Sequence, residues 1–114
     1  MPLGLHKAVA TDLEQTDVSL RARCKAQLYK LGKSDIRLEP GLRIEKINNR
    51  LYELKVKWNK QEFRFLYAIL HGDKIILHFF QKKSAKLKGR EIDVATKRLT
   101  ELDLNEVFRD GKYH

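Results

Sequence analysis

The stretch "LYELKVKWNKQEFRFLYAILHGDKIILHFF" (Leu51–Phe80) decides the fold. In its first part Tyr52, Leu54, Val56 and Trp58 alternate with Glu53, Lys55 and Lys57. A period of two marks a strand with one buried face. Phe63, Phe65, Tyr67 and Ile69 alternate in the same way with Glu62, Arg64, Leu66 and Ala68. His71-Gly72-Asp73 supplies a turn. "KIILHFF" (Lys74–Phe80) is apolar on both faces, as a central strand covered on both sides requires.

The first hairpin constrains its own register, because a slip of one residue exchanges the faces. A three-residue loop at 59–61 would oppose Val56 to Arg64. A two-residue loop, Asn59-Lys60, opposes Val56 to Phe63 and Lys55 to Arg64. A four-residue loop opposes Trp58 to Phe63 and Lys57 to Arg64. The last two both keep apolar with apolar and stay open: Asn59 suits a tight turn, but Lys60 is no glycine. Under either, Lys55, Lys57 and Arg64 project from one face. Like charges facing across strands destabilise a sheet. A bound phosphate would be a compensating reason.

Outward from this block the period becomes helical. Asp17 can cap a helix starting at Val18, with Leu20, Cys24, Leu28 and Leu31 on one face and Gly32 as a stop. Leu5, Val9 and Leu13 suggest a first helix over residues 6–15. Pro40-Gly41 reads as a turn. Ile92, Ala95, Leu99 and Leu102 place a last helix over residues 89–103. Residues 104–114 have little pattern and are expected to be loosely ordered. The fold class expected is α+β, as one domain over residues 1–114. Helices at the N-terminus pack on a twisted antiparallel sheet of three to four strands, and a C-terminal helix follows.

Totals narrow the class. A chain of 114 residues suits one compact domain. The lone Cys24 cannot form an internal disulfide, and no secretory leader is apparent, which together suggest a cytoplasmic setting. No apolar run approaches the roughly 20 residues of a membrane helix, so no membrane partner is expected. The net charge is +9, and it is segregated. Residues 1–41 carry seven basic and five acidic side chains, residues 42–90 thirteen and four, and residues 91–114 four and six. The surplus therefore sits in the middle, as in nucleic-acid-binding surfaces. Its densest part is "FFQKKSAKLKGR" (Phe79–Arg90), with Lys82, Lys83, Lys86, Lys88 and Arg90 and no acid.

Such a cluster can do more than hold RNA. RNA carries its own nucleophile, the 2′-hydroxyl. Cleavage needs that hydroxyl deprotonated, the phosphorane stabilised and the 5′-oxygen protonated. Cationic side chains can supply the electrostatics, so neither metal nor cofactor is needed. Arg64 suits the phosphate oxygens with its fork of donors. A lysine among other cations loses its proton more readily, which makes Lys55, Lys57, Lys82 and Lys83 candidates for proton transfer. Lys86, Lys88, Arg90 and His78 are candidates for RNA contact. The plainer readings are a solvated lysine face, a solvated loop and a core histidine. His71 belongs to a turn, and Tyr52 and Tyr67 lie on the apolar face. His6, His71, His78, His114 and Cys24 lack zinc-ligand spacing. There is no phosphate-cradling glycine loop, and Ser34 and Ser84 have no base in the pattern.

"LYELKVKW", "FRFLYAIL", "DKIILHFFQKKSAK" and "EIDVATKRL" together resemble the RelE/HigB-like toxins of bacterial type II toxin–antitoxin systems, above all their phage-derived RelE-like branch. Members typically read "LyELR", "yRilY", "iiLLh.F.KK…K" and "EI..A..R" in that order. The resemblance spans Leu51 to Leu102. It implies helices on one side of a twisted antiparallel sheet and a metal-independent endoribonuclease that cuts mRNA, commonly on the ribosome. It also implies a cognate antitoxin, often a helix-turn-helix protein, and either a homodimer or a toxin–antitoxin hetero-oligomer. Lys55 matches the basic position of the first motif and Arg64 the arginine of the second. Lys82 and Lys83 match the lysine pair and Lys86 the lysine after it. On this mapping Arg64 stabilises the scissile phosphate, Lys55 with Lys57 assists proton transfer, and Lys82 and Lys83 bind phosphate or serve as acid. The N-terminal edge strand of many members is poorly matched by "MPLGLHKAV". The acid–base tyrosine of some relatives is not carried over to Tyr113. A ParE-like gyrase inhibitor and a non-catalytic RNA-binding module are the alternatives.

Overall fold

The computed structural model describes residues 3–33, 41–83 and 89–109. In chain order the elements are β1 (Leu3–Leu5), α1 (Lys7–Glu14), α2 (Val18–Lys33), β2 (Arg43–Lys46), β3 (Tyr52–Trp58), β4 (Gln61–Leu70), β5 (Asp73–Lys82), α3 (Gly89–Thr100) and β6 (Phe108–Arg109). The strands make a six-stranded sheet in the order β2-β3-β4-β5-β1-β6. The α+β class is as expected. The sheet is larger than the three to four strands expected, and it is mixed, because β1 runs parallel to β5.

The hairpin β3–β4 turns on two residues. Asn59 and Lys60 both adopt positive φ, 50° and 63°, and Lys55 faces Arg64 while Val56 faces Phe63. This is the twist-matched geometry of a tight hairpin, with a lysine where glycine would be unstrained. The next hairpin uses His71 and Gly72 in the same way, at φ 51° and 83°. Between Leu66 and Tyr67 the β4–β5 register shifts, and β5 carries the extra residue, Leu77. A bulge lets consecutive residues lean toward one side of a strand. Leu77 and His78, the latter paired with Leu66, both serve the same face.

The two faces of the sheet are covered by different helices. On one, α1 and α2 bury Val9, Leu13, Leu20, Cys24, Leu28 and Leu31 against Leu54, Val56, Phe63, Phe65, Tyr67, Ile76 and Phe79. Cys24 is fully buried, and burial pushes its thiol up to about 12, so it stays protonated and inert. On the other, α3 lays Ala95 and Leu99, with Ile92 and Leu102 beside them, over Leu66, Ala68, Ile75 and Leu77. Arg98 pins this helix by donating from Nη1 to the Leu77 carbonyl at 2.9 Å, which the bulge presents.

The caps are specific. Asp17 Oδ2 accepts from the Ser19 and Leu20 amides, as expected of an N-cap. Arg21 donates to the carbonyls of Leu13, Glu14 and Thr16 and so closes the end of α1. Lys74, buried within β5, donates from Nζ to the Leu31 carbonyl at 2.8 Å, placing a cation at the negative end of α2. With that closure, α2 continues through Gly32 to Lys33, one residue beyond the expected stop.

Three further expectations meet the structure at the outer strands. The N-terminal strand, poorly matched in the sequence, is present as the three-residue β1 and lies inside the sheet between β5 and β6; His6 follows it as the cap of α1, accepting from the Ala8 amide at Nδ1. Burial, then Arg98 and Lys7, lower the His6 pKa and keep that nitrogen an acceptor. The segment after α3 is not patternless throughout: Leu104–Glu106 form a 3-10 turn, and β6 pairs antiparallel with β1. Leu5, expected on the first helix, lies in β1 and is fully buried there. Ser34, Ser84, Pro40, Lys86, Lys88, Tyr113 and His114 lie outside the described residues.

Candidate functional site

Helix α3 covers only half of its face of the sheet. On the half beyond α3, cross-strand register places side chains in rows, since directly paired residues project the same way. Arg43 of β2 pairs with Lys55 of β3, which pairs with Arg64 of β4, which pairs with Phe80 of β5. One row on, Lys57 pairs with Glu62, and Glu62 with Lys82. In the row on the other side Glu45 pairs with Glu53, Glu53 with Leu66, and Leu66 with His78. The structure thus gathers Lys55, Lys57, Arg64 and Lys82 on one face. Lys83 follows directly after β5 and Arg90 opens α3, both exposed.

The face is a chequerboard and not a field of cations. Arg64, with its side chain only 5% exposed, lies between Glu53 (Nε to Oε2, 3.6 Å) and Glu62 (Nη1 to Oε1, 3.0 Å). Lys55 reaches Glu45 at 3.8 Å, and Arg43 reaches Glu62 at 3.8 Å. These carboxylates supply much of the compensation that the lysine and arginine rows require. Glu53 and Arg64 are an ion pair taken out of water, an arrangement that is costly unless each charge keeps its partner. Their contact is electrostatic more than hydrogen-bonded: Arg64 Nε and Nη1, Glu53 Oε2 and Glu62 Oε1 are all buried without a well-angled hydrogen bond.

His78 stands where this half meets α3. Its Nε2 lies 2.8 Å from Glu91 Oε1 and its Nδ1 3.4 Å from Arg98 Nη1. A guanidinium can only donate, so the network assigns Nδ1 as acceptor and Nε2–H as donor to Glu91. The neutral imidazole satisfies both contacts, and both ring nitrogens are engaged. The ring also stacks on Phe80, with centroids 5.0 Å apart. Glu91 lies in the first turn of α3, where a carboxylate complements the helix dipole.

Sequence reasoning passed over Arg43, Glu45, Glu53, Glu62, Glu91 and Arg98. For Glu53 and Glu62 the signal was available: each stands two residues from a cation in the alternation that grouped the cations. Tyr67 is buried and stacks on Tyr52 at 5.4 Å, which makes both core residues. Burial pushes the Tyr67 hydroxyl up to about 12. Among the described residues, no group of three or more His, Cys, Asp or Glu is gathered to hold a metal ion. None of the helices among them is long and apolar enough to cross a membrane. A hollow of about 300 Å³ lined by Lys7, Asn105, Glu106, Val107 and Phe108 lies at the opposite edge of the sheet, by β6, away from the charged rows.

The model of the phage-derived protein Gp49-like family (DUF891) matches residues 11–100, from α1 to the end of α3. No curated protein matches the chain.

Proposed function

Since the chain belongs to the phage-derived Gp49-like family, we propose that it is the toxin of a toxin–antitoxin pair and a metal-independent endoribonuclease acting on mRNA, on the ribosome. The observation that carries this reading is the register that brings Lys55, Lys57, Arg64 and Lys82 from three adjacent strands onto the half-sheet beyond α3. In the proposed reaction the 2′-hydroxyl gives its proton to Lys55 or Lys57 and attacks the phosphorus. The bond to the 5′-oxygen breaks, and that oxygen takes a proton from Lys82 or Lys83. The upstream fragment leaves with a 2′,3′-cyclic phosphate. Arg64, held from the adjacent row by Glu53, stabilises the charge gained by the phosphorane oxygens. Lys83, Arg90, Lys86 and Lys88 extend the grip along the strand, and His78 with Glu91 fixes the start of α3 beside it. The antitoxin proposed is a helix-turn-helix protein whose acidic segment covers this face.

One observation favours a second reading. Arg64 is almost wholly enclosed by two carboxylates, as a structural ion pair would be. A toxin of this shape acting on gyrase, without cleaving RNA, would need nothing more of it. The readings separate on controlled expression with mapping of transcript 5′ ends. New ends inside translated frames support the nuclease; supercoiling defects with intact transcripts support the gyrase reading.

A further inference from the structure

Glu62 occupies the middle of the charged rows. Its cross-strand neighbours are Lys57 and Lys82. Its Oε1 lies 3.0 Å from Arg64 Nη1 and 3.8 Å from Arg43 Nη2. A carboxylate therefore sits among cations from four strands, at the point where a phosphate oxygen would meet the most positive charge. The two carboxylates on Arg64 are not alike. The Glu53 side chain is 2% exposed, packed on the face of the sheet, whereas that of Glu62 is 32% exposed and close to the hairpin turn. Glu62, the more exposed of the two, has room to swing its carboxylate away, whereas Glu53 is held among buried neighbours. The Glu62 contact is also imperfect, since Oε1 and Nη1 lie close without a well-angled hydrogen bond. Better-aligned oxygens would gain what this contact leaves unmade.

We infer that Glu62 is an exchangeable internal anion. It fills the phosphate position of the Arg43–Lys57–Arg64–Lys82 cluster, and an incoming phosphodiester displaces it while Glu53 keeps the guanidinium in place. The inference rests on the proposed RNA reading of this face and adds a selectivity to it. A lone small anion must replace a carboxylate that four cations already surround, and gains little. A strand that also reaches Lys83 and Arg90 brings several phosphates for the loss of one carboxylate.

The test uses the full chain and a single-stranded RNA carrying 2′-O-methyl groups throughout, which binds but offers no nucleophile. Binding is read by fluorescence anisotropy over a salt series. Glu62→Gln, which keeps the shape and removes the charge, should bind about tenfold more tightly. Its slope of log affinity against log salt should stay that of the wild type, because under exchange the same phosphates are neutralised with or without Glu62. Glu62→Ala should likewise tighten binding at an unchanged slope, which covers any local misfit of the amide. Lys82→Ala tests the underlying reading. If Lys82→Ala weakens binding while neither Glu62 variant tightens it, or if the Glu62 variants steepen the slope, the exchange is wrong and the phosphate face stands. If the wild type and Glu62→Gln both fail to bind, or Lys82→Ala binds as the wild type does, the phosphate face is wrong and the exchange falls with it.

Discussion

The two faces of the central strands start from one alternating pattern and end differently. The face under α1 and α2 is sealed: Leu54, Val56, Phe65 and Ile76 are buried among helix side chains, and Phe65 stacks on Phe79 at 4.6 Å. The face under α3 is sealed only where Leu66, Ala68, Ile75 and Leu77 stand; beyond them it turns into paired charges. On the first face stability comes from apolar area and shape, so each side chain is answerable mainly to its volume. On the second, each charge is answerable to its partner. A site that handles phosphate belongs on the second, where side chains are held by electrostatics that an anion can enter.

The comparison breaks most visibly on the sealed side. Phe65→Ala removes the largest fully buried side chain and should cost about 3–5 kcal/mol, read from denaturant unfolding. A loss under about 1 kcal/mol would mean that this face is not close-packed. Next comes Glu53→Gln, which keeps the volume and removes one counter-charge from Arg64. It should cost about 2–3 kcal/mol and also weaken phosphate binding, because the guanidinium loses its fixed support. Unchanged stability would show that Glu62 suffices. The smallest effect is at the hairpin: Lys60→Gly relieves a left-handed lysine and should stabilise by up to about 1 kcal/mol. Destabilisation there would show that the Lys60 side chain contributes something the turn geometry does not reveal.

Much of this architecture was legible in the residues. The period-two runs located β3, β4 and the double-faced β5, and Asp17 located the start of α2. β2 was not legible, because "RIEK" is four residues long and mostly charged, and it forms only by pairing with β3. β1 and β6 were missed or underestimated for a similar reason: two or three residues carry no period, and their pairing is decided in three dimensions. The two-residue loop won over the four-residue one although Lys60 must take a positive φ, because register and twist outweigh that local cost. At the site, the positions of the cations on one face followed from alternation. Their pairing with Glu53 and Glu62 stood in the same alternation but was passed over, because charge counting by segment averages over partners that sit at adjacent rows; Glu45, on the short β2, carried no such signal. The His78–Glu91–Arg98 cluster joins residues far apart in the chain and depends on the bulge at Leu77, which no spacing announces.

The central claim is that the half-sheet beyond α3 breaks RNA. Purified wild-type protein should be mixed with translating ribosomes beside a Lys55→Ala/Lys82→Ala variant whose thermal midpoint matches it, and the transcript ends characterised. The account predicts that the wild type yields upstream fragments ending in 2′,3′-cyclic phosphate and that the folded variant yields essentially none. Intact transcripts with the wild type, or equal cleavage by the variant, would contradict it.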